Sequence, residues 1–106
     1  MKKIIAAASF YKQGYSFNPE FDDLPEIIKK DIRIICTCLA QKLHGVFSMG
    51  FAGEDGSVFF EAHGEEPDYD FDEIGAKLEI DKLKTDEKEL IKALGIWYVV
   101  FKANGR

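Results

Sequence analysis

Residues 23–45, DLPEIIKKDIRIICTCLAQKLHG, leave a chain of this kind few choices. Leu24, Ile28, Ile32, Ile35, Leu39 and Leu43 recur at spacings of three and four, which traces one stripe of an α-helix. Ile27, Ile34 and Cys38 widen that stripe on one side and Cys36 on the other. Glu26, Lys29, Lys30, Arg33, Thr37 and Gln41 are left on a narrow polar strip. A helix this apolar is expected to be covered over most of its circumference. Burying one Ile or Leu contributes roughly 1.5–3 kcal/mol, so the helix is expected to carry the core of a small domain. Its ends are marked as well. Asp23 is placed to cap the first turn, with Glu26 three residues on and Pro25 between them. Lys42 and His44 suit the negative end of the helix dipole, and Gly45 suits a left-handed position just past it.

Strand signals flank the helix. Lys3 to Ser9 is a short apolar run, and an aromatic run follows with Phe10, Tyr11, Tyr15 and Phe17. We read two strands, about 3–9 and 13–18, joined by a turn near 11–14. Asn18-Pro19 ends the second, and Phe21 is placed to pack back on the helix. Beyond the helix, Phe47, Met49 and Phe51 alternate with Val46, Ser48 and Gly50. After Gly53-Glu54-Asp55-Gly56, a turn built around Asp-Gly, Val58, Phe60 and Ala62 alternate with Phe59, Glu61 and His63. The pattern predicts a hairpin whose Phe47, Met49, Phe51, Val58, Phe60 and Ala62 face the helix, with Phe59 on the opposite side.

An acidic loop, 64–72, leads to a third apolar-periodic region in which Asp70 and Glu73 repeat the Asp-x-x-Glu cap. Ala76, Ile80, Leu83, Glu87, Leu90, Leu94, Trp97 and Phe101 form a heptad-like seam with one polar gap, at Glu87. One helix over 72–102 would span about 45 Å at 1.5 Å per residue, longer than a domain of this size is wide. Three readings stay open. The helix breaks near Lys84-Thr85, with Thr85 as a fresh cap; or it continues and packs its excess on a second subunit; or Ala76, Leu78 and Ile80 mark a strand before it.

At 106 residues and 46 % hydrophobic content the chain fits one globular domain. A net charge of −5 argues against nucleic acid and against a polybasic membrane contact. No apolar run reaches the 18 residues of a membrane span, and the run after Lys2-Lys3 is too short for a signal peptide, so the expectation is a cytoplasmic protein.

The residues that invite chemistry each have a plainer explanation. Cys36 and Cys38 lie two apart on the helix and point about 200° from one another, so they neither bridge nor chelate and read as two small buried hydrophobes. Asp68, Asp70, Asp72 and Glu79 echo a calcium loop, but Glu73 stands where the glycine belongs and Gly75 where an apolar residue belongs. His44, His63 and Glu61 sit near enough in the topology to form a polar cluster, although a helix end and a strand surface account for them singly. No serine has a nucleophile elbow, and Gly53-x-x-Gly56 precedes a strand rather than the helix a phosphate loop requires. No cofactor, metal site or catalytic residue is assigned.

The segments FNPEFDDLPEIIKKDI, GVFSMGFAGEDGSVFFEA, YDFDEIG and ALGIWYVVF together resemble a family of small uncharacterised bacterial proteins, a domain of unknown function. The resemblance covers most of the chain. It implies a bacterial, cytosolic setting and no mechanism. The order of strands, helix, hairpin and helix is also similar to roadblock and longin-type domains, in topology alone.

These readings converge on an α+β domain ordered β-β-α-β-β-α, with one four-stranded antiparallel sheet, a central helix and a long C-terminal helix. The first functional expectation is a non-enzymatic interaction module that forms a homodimer through Leu90, Leu94, Trp97, Tyr98 and Phe101. The alternative is a small-ligand or sensor domain with a pocket between sheet and helix, and enzymatic activity ranks third.

Overall fold

A computed structural model describes residues 2–65 and 71–105. The order is β1 (Lys3–Ser9), β2 (Gly14–Phe17), a 3-10 turn (Pro19–Phe21), α1 (Glu26–Leu43), β3 (Val46–Phe51), β4 (Val58–His63), α2 (Glu73–Asp86) and α3 (Lys88–Ala103). The mixed α+β class and the four-stranded antiparallel sheet are as the alternation predicts. The single C-terminal helix is replaced by two, so the order is β-β-α-β-β-α-α.

The strands lie in the order β2-β1-β3-β4. β2 and β3 both run antiparallel to β1, so they are parallel to each other and need the long crossover that α1 provides. A bulge between Ile4 and Ala6 inserts Ile5 into β1, and Ile5 and Ala6 are both buried in the core. Gly50 lies opposite that bulge. A Cβ there would stand 2.1 Å from the Lys3 carbonyl oxygen, so only glycine lets the strands close. In the second hairpin Phe47 pairs with Ala62, Met49 with Phe60 and Phe51 with Val58. Phe47, Met49 and Phe51 are wholly buried, and Val58 and Phe60 pack against the same core. Phe59 falls on the far face of the sheet, under the Lys2 ammonium.

The helix begins later than Asp23. Its N-cap is Pro25, whose carbonyl accepts from the Ile28 and Lys29 amides and whose own side chain makes no cap bond. A residue that precedes proline is pushed out of the helical region, so Leu24 cannot be a first helical residue behind an Asp23 cap. Asn18 does the side-chain capping one turn earlier, accepting from the Glu20 amide at 3.0 Å. At the other end His44, with φ of 54°, takes the left-handed position expected of Gly45. Gly45 is needed for space instead, because a Cβ there would lie 2.6 Å from the Phe71 ring and 2.7 Å from the His63 carbonyl.

Only Ile32, Cys36, Ala40 and Leu43 of α1 are fully buried. Ile32, Cys36 and Ala40 join Ile5, Ala8, Phe47, Met49 and Phe51 from the sheet and Leu94, Tyr98 and Phe101 from α3 in one cluster. The broad cover expected for α1 is not realised. Ile27 and Ile34 are exposed, because one sheet face and one neighbouring helix layer reach only part of the helix.

The break in the C-terminal region falls at Glu87, not at Thr85. Glu87 leaves helical geometry (φ −107°, ψ 29°) while its amide still bonds Leu83 and its carbonyl still accepts from Ile91. This is the polar gap of the seam. Residues 76–81 are helical, which removes the strand reading. The length problem dissolves too: the Cα extents are 45 × 26 × 25 Å, so the protein is elongated enough to host both helices.

Candidate functional site

A groove of about 910 Å³ lies between β4 and α2. One wall is the run from Phe60 to Glu65, at the end of the sheet. The other is the helix face carrying Glu73, Ala76, Lys77, Ile80, Asp81 and Lys84, whose alternating spacings of three and one define one side of α2. Local chemistry sets both walls. Asp72 caps α2 by accepting from the Gly75 amide at 2.9 Å, the cap that sequence spacing assigns to Asp70, a residue outside those described. Gly45 and Gly64 leave room for Phe71 to wedge against the β4 end, and the Tyr11 hydroxyl accepts from the Glu65 amide at 3.0 Å. Lys42 holds Glu79 at 2.8 Å, which ties α2 to α1 and keeps the Glu79 carboxyl below the usual carboxylate range.

The residues expected to form an interface are elsewhere. Leu94, Tyr98 and Phe101 are buried in this chain's own core, and Leu90 and Trp97 pack against it. Tyr98 stacks on Phe51 at 4.2 Å between ring centres, and Trp97 stacks on Phe101 at 4.7 Å. Phe21 joins them, with its ring within 6.3 Å of all four neighbouring aromatics. The seam is used inside the molecule because α3 lies over the β3–β4 hairpin. The stripe of α3 left exposed is Ile96, Val99 and Val100. Sequence periodicity missed it, since α3 is apolar on two sides and spacing alone does not say which side meets the sheet.

The histidines do not share a site. The His44 ring lies 4.6 Å from the ring of Phe10, His63 ends β4, and Glu61 pairs with Lys2. Of the calcium-loop residues, Asp68 and Asp70 lie outside those described, Asp72 caps α2 and Glu79 bonds Lys42. No group of three or more His, Cys, Asp or Glu among the described residues is arranged to hold a metal ion. Cys36 is buried, and burial pushes its thiol up to about 12. Cys38, expected to be buried too, is exposed, on the outward side of α1. No helix among the described residues is long and apolar enough to cross a membrane.

A family model described as "Family of unknown function (DUF6145)" matches residues 2–106. The chain belongs to DUF6145. The resemblance drawn from its segments therefore holds as to an uncharacterised domain. No curated protein and no solved structure matches the DUF6145 chain. Its function has to be argued from the surfaces just described.

Proposed function

We propose that this DUF6145 chain is a non-enzymatic protein-interaction module that pairs with a second copy of itself through the outer face of its helices. The observation that carries this is α3. From Leu90 to Phe101 its only charged side chain is Lys92, a pattern found on helices covered all round. One side packs on the sheet, yet Ile96, Val99 and Val100 stand exposed at spacings that align them in one stripe. Ile27 and Ile34 on α1 and Ile74 and Leu78 on α2 are exposed as well, so seven of the eight large apolar residues left in water among those described lie on helices, Ile4 of β1 being the exception. A two-fold pairing covers such a stripe with its own copy. The free thiols Cys36 and Cys38 suit a reducing, cytoplasmic setting.

Size-exclusion chromatography with light scattering tests the proposal. The expected mass is twice the 12.0 kDa of the chain, falling to one chain when Ile96 and Val100 are both replaced by Lys. A strict monomer at high concentration sinks the proposal. A second reading, a ligand-binding domain, is favoured by the β4–α2 groove with its convergent polar groups. Its test is a thermal-shift screen, in which the absence of any stabilising compound counts against it.

A further inference from the structure

We infer that the groove between β4 and α2 takes an extended, lysine- or arginine-bearing segment of another protein, which adds to β4 as a fifth strand. The inference rests on the reading of this groove as a ligand site and names the ligand's class.

β4 ends the sheet. The Ala52 amide donates to the Ser57 carbonyl at 2.7 Å, so Ala52 and Ser57 face each other through their backbones. Backbone direction alternates along an antiparallel strand. Phe59, Glu61 and His63 therefore turn their amides and carbonyls toward β3, while Val58, Phe60 and Ala62 turn theirs outward. Phe60 and Ala62 line the groove, and no described residue outside the ladder bonds their backbone groups. Among the described residues the groove thus offers a strip of hydrogen-bonding backbone without a partner, which is what strand addition requires.

Its shape agrees. The strand part of that wall, from Phe60 to His63, is about 10 Å long at 3.3 Å per residue, enough to pair with three or four residues of a short strand. Phe60, Ala76 and Ile80 supply apolar surface for alternate side chains of such a strand. The charge chooses the partner. Glu65, Glu73 and Asp81 line the groove against Lys77 and Lys84, while Glu61, the fourth carboxylate of the lining, pairs with Lys2, in a chain of net charge −5. A second copy of β4 would bring like carboxylates together, so the self-pairing proposed above does not extend to this edge. A strand with alternate Lys or Arg side chains complements it.

The experiment uses the full chain and two short fluorescein-labelled peptides, one alternating Val with Lys and one alternating Val with Glu. Fluorescence anisotropy should show the Val–Lys peptide binding at least about tenfold more tightly than its Glu counterpart, and more weakly as salt is raised. Amide exchange at Phe60 and Ala62 should slow on binding. Ala62→Pro removes one outward amide and spares the ladder to β3, so it should weaken the Val–Lys peptide by about tenfold. Asp81→Lys should weaken the same peptide and strengthen the Val–Glu one. If Ala62→Pro does not fold, judged by circular dichroism, Asp81→Lys decides alone. Equal binding of the two peptides, insensitivity to Asp81→Lys, or no anisotropy change up to about 1 mM peptide overturns the inference. A metabolite that stabilises the chain while neither peptide binds overturns the inference and leaves the ligand-site reading standing.

Discussion

Replacing Gly56 by Ala should cost this protein a large part of its stability, and the structure says why. Gly56 closes the β3–β4 turn, where its amide donates to the Gly53 carbonyl at 3.1 Å. Its φ is +85°, a conformation that costs a residue with a Cβ about 1–2 kcal/mol. The added methyl group would also stand 2.5 Å from the Gly95 carbonyl oxygen and 2.8 Å from the Gly95 Cα, both backbone atoms of α3. Ordinary contact begins near 3.4 Å, so the turn and the helix must separate by most of an ångström. Overpacking of that kind costs about 1–3 kcal/mol. The total, about 2–5 kcal/mol, is a substantial share of the roughly 5–15 kcal/mol that holds a typical domain together.

Two further variants separate the contributions. Gly105 also has positive φ, +79°, but nothing lies within 4 Å of the Cβ position, so Gly105→Ala isolates the conformational cost, about 1–2 kcal/mol at most. Gly95→Ala places its Cβ 3.1 Å from the Gly56 carbonyl oxygen, a mild crowding offset by the roughly 0.8–1 kcal/mol that Ala gains over Gly inside a helix. Its stability should stay within about 1 kcal/mol of the parent. Urea unfolding followed by circular dichroism reads all three as shifts in midpoint at constant slope. If Gly56→Ala unfolds within about 0.5 kcal/mol of Gly105→Ala, the turn does not rest on the α3 backbone and the reasoning fails.

Three other outcomes follow from particular side chains. The Tyr98 hydroxyl is fully buried without a hydrogen-bond partner among the described residues, so Tyr98→Phe should be neutral or stabilising; calorimetry showing a loss above about 1 kcal/mol would mean the hydroxyl has a partner. Iodoacetamide near pH 8 should alkylate Cys38 and spare Cys36 until the chain unfolds, as peptide mass spectrometry will show; equal labelling of both in the native protein contradicts the burial of Cys36. The Ser57 amide and hydroxyl bond the Asp55 carboxylate at 3.1 and 2.9 Å and hold its pKa below the ordinary value. A depressed folded pKa contributes stability above the unfolded value of about 3.9, lost as pH falls through the folded one. Unfolding midpoints of Asp55→Asn should therefore fall less steeply below pH 4 than those of the parent, and parallel curves would refute the assignment.

The sequence by itself determined the elements whose signals are local. The α1 stripe, the alternation on both sides of residues 53–56 and the Asn18-Pro19 stop each follow from backbone preference and side-chain period within a few residues, and all three are realised. The helix ends were less legible. Pro25 acts on Leu24 before Asp23 can cap, and His44 takes the left-handed position while Gly45 leaves room for Phe71. Tertiary packing alone decided the rest. Which side of α3 meets the sheet depends on how the β3–β4 hairpin and Phe21 present their rings, and that choice put Leu94, Tyr98 and Phe101 inside and left Ile96, Val99 and Val100 in water. The break at Glu87, the contact of Gly56 with Gly95 and the groove beside β4 join residues far apart in the chain. Periodicity reports which residues share a face; only the assembled layers determine what each face meets.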